Sequence, residues 1–144
     1  MLTVASILKS KADPHNEIDG NARVADALVM MNSINLDHVV VVAGGHFMGV
    51  FSERDYSRHV IQKRLHRFDC KVQKLMNTHL PSVNPENTAE QCMSLMDAHH
   101  AHYLPVFSAG KFLGIISLND VLHQAVQVRN ELFDTMQGNV VATS

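Results

Sequence analysis

The chain has 144 residues, 46% of them hydrophobic and 18% charged, with a formal net charge of −2. That balance describes a folded globular chain, excludes a disordered one, and leaves no electrostatic footprint for nucleic acid or an anionic membrane. No apolar run nears the roughly 18 residues of a membrane span.

The opening "MLTVASILKSKADPHNEID" lacks a charged start leading into an apolar export region, so it does not read as a secretory signal. Two cysteines, Cys70 and Cys92, make no disulfide framework. The cytoplasm is the expected compartment.

In chain order, "VASIL" (4–8) reads as a short lead-in helix and "EI" (17–18) as an extended piece. "ARVADALVMMNSI" (22–34) sets Val24, Ala27, Leu28, Met31 and Ile34 at helical spacing, which predicts an amphipathic helix. "HVVVVAGGHFMGVF" (38–51) is two apolar runs around Gly44-Gly45, a hairpin pattern. The unbroken Val39–Val42 run predicts a strand covered on both faces. A second helix is expected over "SERDYSRHVIQKRL" (52–65).

The plan then starts again. "VQKLM" (72–76) reads as a lead-in helix, "SVN" (82–84) as extended, and "TAEQCMSLMDAH" (88–99) as a helix with Ala89, Cys92, Met93 and Met96 on one face. "YLPVFSAGKFLGII" (103–116) is a hairpin turning at "SAG", and "SLNDVLHQAVQVRNELF" (117–133) a closing helix with a helical tail. Met30, Met31, Met93 and Met96 then serve as fillers of an irregular core.

A shift of 65 aligns the two halves without a gap from Ile18 to Asp120. Met31 falls on Met96, Val41 on Val106, Gly45 on Gly110, Gly49 on Gly114, Ser52 on Ser117 and Asp55 on Asp120. The matches cluster at turns, core positions and one polar junction, as a duplicated unit requires. The expected division is a first repeat over 1–66, a second over 67–128 and a helical tail over 129–144.

Ser52 and Ser117 stand where strand becomes helix, and a helix start leaves four N–H groups without partners. Serine can cap one of them, and an acid three residues on completes a capping box. The same groups suit a ligand: a helix N-terminus favours an anion, and a carboxylate can accept both hydrogens of a ribose diol. Cap and site remain open, and they are compatible.

The segments "VVVV…GHFMGVFSERD" and "LPVF…GKFLGIISLND" resemble a tandem pair of CBS domains, a Bateman module, from about Val4 to Val128. The resemblance implies an α/β (α+β) fold of two β-α-β-β-α repeats, packed sheet to sheet about a pseudo-twofold axis. It also implies two clefts for adenosine compounds (AMP, ADP, ATP, sometimes NAD or S-adenosylmethionine) and pairing into a homodimer.

By position in the family's pattern, Asp55 and Asp120 match the ribose-diol carboxylates, and Ser52 and Ser117 the hydroxyls near ribose or phosphate. Val50 and Ile115 match side chains against the adenine, and Ile18 and Val83 line the base pocket. In "HAHY", His102 is the phosphate candidate, while Tyr103 departs from the base found in several relatives. The first copy has Asp37 and His38 at the equivalent positions, so its cleft is expected to repel phosphate and differ from the second. Arg54 could supply the missing cation or be an ordinary surface arginine.

"HHAH" (99–102) also invites a metal, but a segment leaving a helix for a strand cannot present three imidazoles on one face. No Gly-rich phosphate loop, Cys-x-x-Cys or Gly-x-Ser-x-Gly elbow occurs, and a Ser–Asp pair without a base is no nucleophile. The expectation is a regulatory module, not an enzyme, that binds an adenosine nucleotide and acts on an unknown partner protein. An interaction scaffold with silent pockets is the alternative.

Overall fold

The computed structural model describes residues 1–11, 16–63 and 68–143, with side chains as far as Gln137. Thr3 and Ser6 form a reciprocal cap that starts helix α1 (Val4–Ser10). The first repeat continues with strand β1 (Glu17–Asp19), helix α2 (Val24–Ile34), strands β2 (His38–Ala43) and β3 (His46–Ser52), and helix α3 (Glu53–Lys63). The second has a 3-10 turn (Val72–Lys74), helix α4 (Ala89–His99) capped by Thr88 and Gln91, strands β4 (Tyr103–Ser108) and β5 (Lys111–Ser117), and helix α5 (Leu118–Thr143).

Two details differ from expectation. "VQKLM" yields one 3-10 turn, not an α-helix. "SVN" makes a single parallel bridge, Val83 with Val106, which is the 65-shifted image of the Ile18–Val41 pair in β1 and β2. Helix α5 continues from the closing helix into the helical tail, as expected. Residues 64 and 65 of the second expected helix, the division at 66/67, and His15 and His66 lie outside the described residues.

β1 pairs parallel to β2, and β2 antiparallel to β3; β4 and β5 form the second antiparallel pair. Both hairpins carry the same bulge: Val41 faces Gly49 but Val42 faces Phe47, and Val106 faces Gly114 but Phe107 faces Phe112. A Cβ on Gly49 would meet the Asn77 carbonyl oxygen at 2.6 Å. Gly49, three residues before Ser52, is therefore part of how the first junction is built.

The valine run is buried on both faces, as its lack of alternation predicts. Val39 and Val41 join Ile18, Ala27, Met31 and Phe51 under the first repeat's helices. Val40 instead meets Val50, Tyr103 and Ile115 in a core between the two sheets. There the pseudo-twofold brings equivalent residues face to face. His38 lies on Tyr103 with ring centroids 4.4 Å apart, and Phe47 stacks on Phe112 at 4.6 Å.

The lead-in segments are exchanged between repeats. Val4 and Ile7 of α1 are fully buried in the second repeat's core with Cys92, Met96, Leu104 and Ile116. The Val4 N–H donates to Asn87 O at 2.8 Å. Conversely, Val72 fills the first repeat's core, and the Val24 N–H donates to Cys70 O at 2.9 Å. An apolar pattern says that a segment must be covered, not by which of two similar cores.

Candidate functional site

Each strand-to-helix junction closes as a reciprocal capping box. Asp55 accepts the Ser52 N–H at 3.0 Å and the Ser52 hydroxyl at 2.9 Å, both at Oδ2, while the Asp55 N–H donates to Ser52 Oγ at 3.1 Å. Asp120 Oδ2 accepts the Ser117 N–H at 2.9 Å, and the Asp120 N–H donates to Ser117 Oγ at 3.1 Å. Both serines are buried and both acids half-buried. The boxes use Oδ2, so capping does not exhaust either carboxylate as an acceptor.

The crossing of the chain decides what faces each acid. His102 and Tyr103 of the second repeat border a hollow with Asp55, Arg54 and Val50 of the first. Asp37 and His38 of the first repeat border a hollow with Ser117 and Asp120 of the second. The sequence pattern groups each phosphate-side segment with the acid of its own repeat; the structure pairs them crosswise. The crossing concerns the hollows and not the backbone, since the Asp37 carbonyl still accepts the Glu53 N–H at 3.0 Å, and the arginines border the Asp55 hollow.

Around Asp55 stand Arg54, Arg58, His100 and His102. Arg54 donates from Nη1 to His102 Nε2 at 3.2 Å. The hollow they border is small, about 30 Å³. Past Arg54 and His102 lies a further hollow of about 320 Å³ bordered by Met93, Met96 and Leu118. Burial pushes the Asp55 carboxyl above its ordinary pKa, outweighing the Ser52 bonds and the charges of Arg58 and Arg54.

At Asp120 the balance reverses. Burial again disfavours the charge, but the Lys11 ammonium, 2.8 Å from Oδ2, and the Ser117 N–H hold the carboxyl below its ordinary value. Lys11 Nζ also donates to Ile115 O at 2.8 Å. The hollow with Asp37 and His38 measures about 390 Å³, and a second of about 270 Å³ lies toward His123 and Gln127.

The remaining candidates are placed as follows. Val50 lies on the Asp55 hollow, whereas Ile115 is fully buried between the sheets. Ile18 and Val83 sit in the first and second helix-side cores, and border none of the hollows described here. The Tyr103 hydroxyl is bonded to Asp37; burial, then the charge of Asp37, push it well above its ordinary pKa. Of the histidine run, His99 ends α4, His100 is its left-handed cap (φ 51°) and His102 precedes β4. No group of three or more potential metal ligands converges among the described residues. No helix among them is long and apolar enough to cross a membrane.

Sequence reasoning missed Arg58, His100 and Lys11 as cleft residues. For Lys11 a signal existed in the 65-residue shift, which sets Lys11 opposite Met76. Its meaning depends on the exchanged lead-ins.

Comparison with known proteins agrees with this architecture. The family model of the CBS domain matches twice, over residues 16–62 and 72–126. The chain is 28% identical over 141 residues to the mitochondrial CBS domain-containing protein CBSX3 of Arabidopsis thaliana, covering 90% of this chain and 67% of that one. It is 29% identical over 105 residues to the CBS domain-containing protein YhcV of Bacillus subtilis (strain 168), covering 72% and 74%. Among solved structures, a protein with CBS domains from Burkholderia ambifaria MC40-6 superposes with a TM-score of 0.79 at 31% identity, over 87% of this chain and 94% of that one. CBSX2, solved in complex with AMP, shares the fold at a TM-score of 0.71 and 22% identity, over 90% and 99%. With two matched segments, one plan built twice and paired equivalent residues stacked at the axis, the chain belongs to the CBS-domain family as a tandem pair.

Proposed function

We propose that this CBS pair is a non-catalytic regulatory module that binds an adenosine nucleotide in the Asp55 cleft and signals to a partner protein by conformational change. The observation that carries the reading is the company around Asp55. A half-buried carboxylate at a helix start, suited to a ribose diol, faces Arg54, Arg58, His100 and His102, suited to phosphate. CBSX2, a neighbour in fold, is described in complex with AMP, which makes AMP the first candidate, followed by ADP, ATP, NAD and S-adenosylmethionine.

The 3.2 Å contact of Arg54 with His102 stands between the Asp55 hollow and the further one of about 320 Å³. Binding must part Arg54 from His102 and separate the two repeats locally. That supplies the mechanism: a ligand preferring the parted arrangement shifts the population toward it by its differential affinity. The proposal includes a homodimer, for which exposed Val29, Ile61, Leu122 and Val126 offer apolar surface. It also includes residence in the cytoplasm, although one relative bears a mitochondrial name.

A thermal-shift panel of AMP, ADP, ATP, NAD and S-adenosylmethionine tests this. At 100 times its dissociation constant a ligand stabilises the fold by about 2.7 kcal/mol, and Asp55→Ala should remove that gain. The second reading, an interaction scaffold, is favoured by the 30 Å³ volume and by the acids' own capping bonds. If no compound in the panel moves the melting temperature, the scaffold replaces the sensor.

A further inference from the structure

Lys11 and Asp120 stand between two hollows and border both. The pair is short at 2.8 Å, with only 17% and 25% of the two side chains exposed, and the ammonium is anchored a second time on the Ile115 carbonyl. It stands between the hollow on the Asp37 side and the one on the His123 side, next to the Ser117–Asp120 junction. We propose that Lys11 is a tethered counter-ion occupying the Asp120 carboxylate, so that the two clefts are unequal: the Asp55 cleft takes nucleotide first, and the Asp120 cleft opens only when Lys11 is released. This rests on the nucleotide reading above.

The chemistry is a competition for one carboxylate: a ribose diol uses both oxygens, and Oδ2 already receives two donors. A ribose diol would donate to the same carboxylate that now receives the Lys11 ammonium and the Ser117 N–H. An ammonium held on a carboxylate is a stronger donor than a neutral hydroxyl. The asymmetry is written in the two lead-ins. Under the 65-residue shift Lys11 corresponds to Met76, and because the lead-ins are exchanged, Lys11 arrives at the second junction and Met76 at the first. Met76 lies beside Gly49 there, with Sδ 3.2 Å from where a Cβ would stand. A thioether carries no charge and cannot clasp Asp55.

Two measurements on the full chain decide it. Calorimetric titration with AMP should give one equivalent per chain for the wild type, none for Asp55→Ala and two for Lys11→Met. Lys11→Gln serves as the second variant should the methionine chain fail to fold. Independently of any nucleotide, acetic anhydride followed by peptide mass mapping should modify Lys11 about tenfold more slowly than exposed Lys9, since a paired, half-buried ammonium must first leave its carboxylate. Asp120→Asn should erase that difference. Lys11 reacting as fast as Lys9 overturns the clasp whatever binds. Two equivalents in the wild type, or one in the Lys11 variants, overturns it while sparing the nucleotide reading. No binding by any chain overturns both.

Discussion

His38 and Tyr103 occupy equivalent places in the two repeats, yet their chemistry differs. Burial pushes the His38 imidazole down; the bond and charge of Asp37 oppose this, the charge of Lys11 adds to it, and that of Asp120 opposes it. In the unfolded chain the ring titrates at about 6.5, so with the folded value lower, the unfolded state takes the proton first. The stability that neutral His38 supplies is therefore complete above about pH 6.5 and is lost as pH falls toward the folded value. Asp120, also depressed, adds stability that is lost only at lower pH, as its own folded value is approached. Asp55 has the opposite sign, because its raised carboxyl favours the fold on protonation. Urea midpoints should thus fall between about pH 7.5 and 5.5, and His38→Phe, which keeps the ring on Tyr103, should flatten that slope. An equal slope in the variant would exclude His38 as its source. At this scale the sequence exposes Ser52, Asp55, Ser117 and Asp120, because their junction is repeated. It hides the Lys11–Asp120 contact, made across 109 residues of chain.

At the scale of elements, the two hairpins share one plan but not one turn chemistry. Gly44 sits at φ +56° and Gly45 at +80°, whereas the second hairpin places Ala109 at +50° before Gly110 at +76°. A Cβ at Gly44 would touch nothing within 4 Å, so a swap there tests backbone conformation without packing. Gly44→Ala should cost about 1 kcal/mol, and Ala109→Gly should return a similar amount, read as opposite shifts in denaturation midpoint. Shifts of one sign would show that neighbours, not φ, set the turns. The hairpins and main helices were legible because apolar period and turn glycines act locally. The 3-10 turn at Val72–Lys74 was not, because "VQKLM" carries the apolar spacing of a longer helix and only its docking under the first repeat limits it.

For the whole molecule, the exchanged lead-ins make each repeat a structural dependant of the other. Ile7 of α1 is fully buried in the second repeat's core, so Ile7→Ala removes methylenes far along the chain from the α1 sequence itself. A loss of about 2–5 kcal/mol is expected for truncating such a side chain, seen as a lower urea midpoint. Amide exchange should quicken in α4, β4 and β5 more than in β2 and β3. Faster exchange confined to the first repeat would contradict the exchange of segments. The same interlock joins the two hollows, since His38 borders the Asp120 hollow, Tyr103 the Asp55 hollow, and their rings are in contact.

The sequence by itself determined the duplication, the order of elements, the need for cover on both faces of Val39–Val42 and the Ser–Asp boxes, since each is written as a local pattern of residue types and spacing. Only the tertiary structure decided which lead-in covers which core, that His102 faces Asp55 while Asp37 faces Asp120, and that Lys11 closes on Asp120. Two repeats of one plan offer similar local patterns. The choice between partners is made by packing energy across the pseudo-axis, and no local pattern encodes it.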